Sequence, residues 1–258
     1  IVADVGVIRL AQKYAPRVPL HISTQTSILN HEAANFWADL GAERIVLARE
    51  LSLEEIAEIR ANTPKTLEIE AFVHGAMCIS YSGRCLISQY MTGRDANRGA
   101  CAQPCRWNYA LMEEKRPGEF FPVEEDARGT YLHNSKDLCM IGHIPELVRA
   151  GVDSLKIEGR NKTAYYAACV TGAYRTALDA YAADPAGFEL PQFCLDEVNK
   201  VSHRDYYTGF YFGSEEIGQH YGDSQYIRDY EVVGMPVDCG ADGHAAFALK
   251  NRIFKGEE

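Results

Sequence analysis

The chain has 258 residues, 47% of them hydrophobic, enough for one large domain or a domain with an appendage. Its formal charge of −10 argues against a generic polyanion binder, because nonspecific nucleic-acid binding is driven by clustered Lys and Arg. No apolar run approaches the roughly 18 residues of a transmembrane helix and no basic-then-apolar leader opens the chain, so a cytoplasmic protein without membrane anchoring is expected.

The first 75 residues alternate strand-like and helix-like runs: "IVADVG" then "VIRLAQKYA", "PLHIST" then "SILNHEAANFWADLG", "ERIVLA" then "SLEEIAEIRAN". "LEIEAF" is a further strand and leads into a cysteine-rich stretch. Such repetition with short punctuation predicts βα units on a parallel sheet. Ser52 before Glu54 and Glu55 marks a helix start, and Gly41 stands where a helix should end. Residues 78 to about 130 read as irregular. "NSKDLCMIGHIPELVRAG" reads as helical, "VDSLKIEG" as a strand, and "NKTAYYAACVTGAYRTALDAYAA" as a long helix. "YIRDYEVVGMPVDC" and "HAAFALKNRIFKGE" read as hairpin strands. The expected division is a partial barrel over 1–222, with its cysteine loop at about 75–140, and the start of a small β domain over 223–258. The opening at Ile1, inside a strand-like run, suggests that barrel strands precede it.

The strands carry a second pattern. Leu20 and Ile22 oppose His21 and Ser23, Leu67 and Ile69 oppose Glu68 and Glu70, and Leu155 and Ile157 oppose Lys156 and Glu158. Period-two alternation puts apolar and polar sets on opposite sheet faces. A doubly wound sheet, covered on both faces, would read apolar throughout. The alternation therefore favours an α/β fold of the (β/α)8 TIM-like barrel class, N-terminally truncated, with polar side chains pointing inward toward a site at the C-terminal mouth. His21, Glu70, Lys156 and Glu158 are then either site residues or groups that neutralise one another inside the barrel.

Cys78 falls just beyond the "LEIEAF" strand, Cys85 follows seven positions later, Cys101 and Cys105 form a CxxxC, and Cys139 lies in "NSKDLCMI". In a reducing compartment these are poor candidates for disulfides. The gap from Cys78 to Cys85 is too long for a zinc knuckle. Spacing leaves three readings open: an iron–sulfur cluster, zinc, or unliganded thiols. Gly75, Gly83 and Gly99 are expected to bring backbone close to an inorganic core and donate amides to sulfur. Cys169, Cys194 and Cys239 read as inert thiols. Between Cys78 and Arg106, Arg84, Arg94, Arg98 and Arg106 face only Asp95, with Tyr81 and Tyr90 interleaved; the acidic counterweight lies between Glu113 and Asp126.

The stretch "EAFVHGAMCISYSGRCLIS", residues 70 to 88, resembles the signature of the U-32 peptidase family, the collagenase-like peptidases, at every defined position. The resemblance continues through "HISTQTSILN", "RIVLARELSL", "RGACAQPCRW", "NSKDLCMI", "VDSLKIEGRNKTAYY" and "SHRDYYTGF", and so covers about residues 1 to 213. The family includes oxygen-independent hydroxylases that modify a pyrimidine of tRNA or 23S ribosomal RNA, with prephenate as the hydroxyl source, and others that hydroxylate ubiquinone precursors. The resemblance implies a [4Fe-4S] cluster on Cys78, Cys85, Cys101 and Cys139, with Cys105 as the alternative fourth ligand. It implies tRNA or rRNA and a small anionic co-substrate, prephenate, as partners, and a paired subunit of the same family as a further one.

A peptidase would need a nucleophile or metal-bound water with a general base, and no HExxH, GxSxG or protease-like Cys/His context is present. The expected activity is therefore iron–sulfur-dependent RNA hydroxylation; a collagenase-like peptidase and a ubiquinone-precursor hydroxylation subunit are the alternatives. Glu70, Lys156 and Glu158 are the candidate catalytic groups, the carboxylates as proton carriers. Arg49, Lys156 and Arg160 are candidate clamps for a carboxylate. Tyr81 and Trp107 are candidates for stacking on a base, and His21 and His203 for substrate contacts.

Overall fold

The computed structural model describes residues 1–78, 80–107, 110–111, 115, 117–118, 121–122, 134–213, 219–220, 226–240 and 244–252. The acidic residues Glu113, Glu114, Glu119, Glu124, Glu125 and Asp126 lie outside the described residues.

Short βα units open the chain: α1 (Val5–Tyr14), β1 (His21–Ile22), α2 (His31–Asp39), β2 (Arg44–Val46), α3 (Leu53–Ala61) and β3 (Glu68–Ala76). Each of these three helices starts on a polar cap. The Asp4 and Asn30 side chains accept from Val7 and Ala33 backbone amides, and Ser52 with Glu55 completes a reciprocal capping box ahead of α3. Gly41, at φ 85°, ends α2 in the left-handed conformation that a side chain disfavours. The expected first strand reduces to a bridge between Val2 and Ile22, because the Asp4 cap starts α1 at Val5.

β1, β2 and β3 pair in parallel, with His21 beside Arg44 and Ile45 beside Ile69. β3 is nine residues long and serves two further partners. Its middle runs parallel to β8 (Ser154–Ile157), with Glu70 beside Ser154, and its last residues run antiparallel to β7 (Asp137–Cys139), with His74 beside Cys139. β7 also pairs with β9 (Tyr206–Tyr207). Residues 134–139, expected as helix, are therefore extended: β6 (Asn134–Ser135) pairs with β10 (Gln219–His220), and β7 takes up the free end of β3. Two remaining ladders, β4 (Ala110–Leu111) with β5 (Phe121–Pro122) and β11 (Gly234–Cys239) with β12 (Ala245–Leu249), complete the strands. The latter is the expected C-terminal hairpin.

The expected alternation is present. Ile22, Ile45, Ile69, Ala71 and Val73 are buried and join Ile8, Trp37, Ile56, Ile59 and Val170 in one apolar cluster. Arg44, Glu68, Glu70, Ser154 and Lys156 share the other face and bind one another. α5 (Ile144–Arg149), α6 (Ala164–Ala183) and α7 (Gln192–Lys200) continue the helical layer, α5 against α6 and α6 against α7. The fold is thus mixed α/β, built on a parallel sheet that is open among the described residues.

Candidate active site: a thiol-lined pocket beyond strand β3

Cys78 follows β3 directly, and the chain from there to Trp107 folds into a loop carrying one short helix, α4 (Ile87–Thr92). Cys78, Cys85, Cys101 and Cys105 all line one cavity of about 180 Å³. All four are free thiols. Burial pushes the Cys105 thiol up to about 11; negative charge on Cys78, Cys101 and Cys85 acts in the same direction, and the adjacent Arg106 opposes it. Cys139 is elsewhere. It sits on β7 against Ile141 and Tyr174, its thiol pushed up by burial, and it does not line the cavity. The fourth thiol of the pocket is Cys105, because β7 turns Cys139 toward α6 rather than toward the loop.

Side chains from elsewhere, and Asn97 from within it, hold the loop by its carbonyls. Arg160 donates to Gly99 O at 2.6 Å and Cys101 O at 3.4 Å, Asn161 to Cys101 O at 3.4 Å, and Asn97 to Cys85 O at 3.0 Å. Gln25, just beyond β1, donates to Asn97 O at 2.5 Å. Ser82 donates its amide to Glu50 Oε1 at 2.9 Å. Gln103, in the left-handed region at φ 57°, donates its amide to Cys101 Sγ at 3.2 Å. The glycines act otherwise than expected. A Cβ on Gly75 would lie 2.3 Å from Glu158 O, and one on Gly83 2.1 Å from Gln25 O, so both let protein backbone meet protein backbone, while Gly99 has open space.

Beneath the loop, Arg106 and Asp137 form a buried pair at 2.9 Å, with side chains 4% and 1% exposed, and Lys162 approaches the same carboxylate at 3.6 Å. Burial would raise Asp137, but Arg106 and Lys162 hold it below the usual carboxylate range. Arg106 also donates to Met77 O at 3.2 Å, tying the end of β3 to the CxxxC turn.

The remaining candidates divide. Arg49, Tyr81, Glu158 and Arg160 border the cavity. Glu158 Oε1 accepts from the Arg160 amide at 3.0 Å, while its buried Oε2 has no partner among the described residues. Glu70 and Lys156 do not border it; they pair at 2.9 Å, and Arg44 and Ser154 bind the other Glu70 oxygen at 3.1 and 3.0 Å. Burial favours a protonated Glu70, but these partners outweigh it and keep its carboxyl low. The mutual-neutralisation reading therefore fits that pair. His21 is on β1, away from the cavity. His203 stacks on Tyr206 at 4.2 Å, and its Nδ1 lies 2.6 Å from Arg204 O, so it is a packing residue. Trp107 is 44% exposed and outside the cavity lining. Gln25, Asn97, Arg106 and Asp137 were missed; for Gln25 the signal was its position just past a strand end, where barrel sites are built.

Among the described residues no three His, Cys, Asp or Glu side chains could hold a single metal ion. A polynuclear cluster spaces its thiolates more widely around bridging sulfides, and four free thiols around one cavity with an amide donor on sulfur suit such a group.

These features define an α/β protein with a thiol-lined pocket at the C-terminal end of its parallel strands. The chain belongs to peptidase family U32, whose model matches residues 1–220. It is 42% identical to tRNA hydroxylation protein P1 of Bacillus subtilis (strain 168), aligned over 100% of this chain and 61% of that one. It is 37% identical to tRNA hydroxylation protein P of Escherichia coli (strain K12), over 100% and 65%. A collagenase of Porphyromonas gingivalis (strain ATCC BAA-308 / W83) is 34% identical over 85% of this chain and 53% of its own length. The chain thus spans a little under two thirds of the two hydroxylation proteins. No solved structure matches it.

Proposed function

We propose that the protein is an iron–sulfur-dependent, oxygen-independent hydroxylase of an RNA pyrimidine, with a [4Fe-4S] cluster held by Cys78, Cys85, Cys101 and Cys105. The observation that carries this reading is the convergence of those four thiols on one cavity beyond β3. The two tRNA hydroxylation relatives support the RNA substrate. So does the outer surface of the loop, where Arg84, Arg94 and Arg98 are exposed together with Tyr81, Tyr90 and Trp107. Arginine with aromatic faces suits unstacked bases on a phosphate backbone. We further propose that the open sheet is part of the eight-stranded barrel, and that prephenate is the hydroxyl donor.

When bound, the cluster would supply redox chemistry. The chain's own groups position and protect: Arg160 and Asn161 fix the cysteine loop by its carbonyls, and Glu158 presents its unpartnered Oε2 as a proton carrier. No histidine lines either cavity bordered by Cys78, so a peptidase reading finds no Cys/His pair there among the described residues.

Anaerobic purification of the full chain should give a brown protein with about four iron per chain. Cys105→Ser should lose the iron, while Cys139→Ser and Cys169→Ser should keep it; loss on Cys139→Ser with retention on Cys105→Ser would reverse the ligand assignment. Nucleoside mass spectrometry of RNA from a deletion strain should show one hydroxylated pyrimidine missing, and an unchanged nucleoside profile would sink the substrate assignment.

A further inference from the structure

Under the cysteine loop, the side chains of Arg106, Asp137 and Lys162 are all buried, and two of the three are cations. Arg106 already balances Asp137 at 2.9 Å, so Lys162 is surplus to that pair. Its ammonium is nonetheless held in the interior, with the side chain 9% exposed: it donates to Ser202 O at 2.8 Å, stands 3.6 Å from Asp137 Oδ2, and lies 5.0 and 4.3 Å from the Tyr166 and Tyr226 ring centroids. Arg204 brings another positive charge to the same place, its amide donating to Asp137 Oδ2 at 3.3 Å and its Nη2 to Arg106 O at 3.4 Å. The surplus faces the thiol pocket. Arg106 follows Cys105 directly and donates to the carbonyl of Met77, the residue before Cys78. Along the described wall of that pocket, Arg49, Arg106 and Arg160 stand against one acid, Glu158. Lys162 itself does not border the pocket, and its side chain holds no part of the loop.

A buried cation costs desolvation energy that an apolar side chain would not, so a surplus one calls for a charge to answer it. Buried charges are little screened and act well beyond contact distance. Four thiolates on an iron–sulfur core carry net negative charge, and each added electron increases it; nearby charge therefore moves the reduction potential. We infer that Lys162 raises the reduction potential of the group bound by Cys78, Cys85, Cys101 and Cys105, acting through space as the surplus cation behind the CxxxC turn. Lys162 is a positioning residue, not a catalytic one. Reduction takes one electron from an external one-electron donor, and Arg106, Asp137 and Lys162 exchange no proton in it. The inference rests on the iron–sulfur reading of the pocket.

Redox titration of the anaerobically purified chain with dithionite and mediator dyes, followed by visible absorbance, tests it in wild type, Lys162→Met, Lys162→Arg and Asp137→Asn. Lys162→Met removes the charge, keeps an unbranched stem and leaves Arg106 and Asp137 as a balanced pair. At the potential where wild type is half reduced, the reduced-to-oxidised ratio should fall about tenfold in Lys162→Met, a shift of about 59 mV for a one-electron couple. Lys162→Arg keeps the charge and should stay near wild type. Asp137→Asn, which removes the opposing charge, should move the ratio the other way. Opposite signs mark charge, because damage to the fold would drive iron out of both variants. Iron content and thermal midpoint are read on the same samples, and Lys162→Met should match wild type in iron; should Asp137→Asn fail to fold, the two Lys162 variants decide. A brown Lys162→Met protein with the wild-type potential, or an equal shift in Lys162→Arg, overturns the inference and leaves the iron–sulfur reading standing. Loss of iron from Lys162→Met would make Lys162 a structural residue and overturn it too. A wild-type chain that holds no iron would overturn the reading itself, and the inference with it.

Discussion

At the scale of single residues, the signature glycine Gly83 is set by a neighbour far away in sequence. Its Cβ would fall 2.1 Å from the Gln25 carbonyl, and its φ of 74° disfavours any side chain. Gly83→Ala should therefore displace the loop and, if the proposed cluster is bound, lower bound iron severalfold with the far-ultraviolet spectrum unchanged; full iron loading in this variant would refute the crowding argument. His74 gives a second test. It is buried among Tyr166, Tyr174 and Tyr206, with Asp137, Lys162 and His203 as the charged or titrating groups nearby. Burial is the main cause that pulls its pKa down from 6.5 to about 3; Lys162 and His203 add to the fall and Asp137 opposes it. The unfolded chain protonates first, so stability is fully present above about pH 6.5 and falls as pH drops toward 3. Between pH 7 and pH 5 this histidine should cost about 2 kcal/mol, and in urea titrations His74→Gln should remove that increment. The cysteines themselves were legible as a group from spacing. What was not legible was which thiols meet, because Cys105 and Cys139 differ in the direction their backbone turns them, a tertiary property.

Among the elements, β3 explains most of what the sequence pattern reached and where it stopped. Its alternation revealed a strand with one apolar and one polar face, and both faces are as expected. Its antiparallel partner was not visible, since β7 and the β9 that pairs with β7 are only three and two residues long and too short to show a period. Residues 134–139 consequently read as helix until the free end of β3 claimed them. The join between β3 and β7 is stapled by Tyr174 of α6, whose hydroxyl donates to Val73 O at 2.8 Å and accepts from Met140 N at 3.0 Å. Both bonds are buried, so Tyr174→Phe should cost about 1–3 kcal/mol of unfolding free energy. A denaturation midpoint equal to wild type would show that the staple is redundant.

On the scale of the whole molecule, charge is segregated. A chain of net −10 carries a loop whose exposed residues include Arg84, Arg94 and Arg98. If RNA is bound there, affinity depends on salt through the phosphates those arginines neutralise. Replacing all three with Glu should weaken tRNA binding and flatten the log–log salt dependence by about 2, at roughly 0.7 per single-strand contact, measured by fluorescence anisotropy. An unchanged slope would place the RNA elsewhere. Composition hinted at this segregation, whereas closure of the sheet depends on pairings that no local pattern encodes.

If the proposed cluster is bound, the pair beneath the loop has a consequence for the protein that lacks it. Arg106 and Lys162 share the single carboxylate of Asp137 in the interior, which leaves a positive excess directly behind Cys105. Thiolates ligated to iron would be the natural counter-charge. A chain that has lost its iron keeps the buried cations and, with Cys105 protonated at neutral pH, lacks the anions that answer them. Oxidative loss of iron would then be felt first as loosening of the CxxxC turn, so air-exposed preparations should be nicked by protease near residues 101–107 before the sheet gives way.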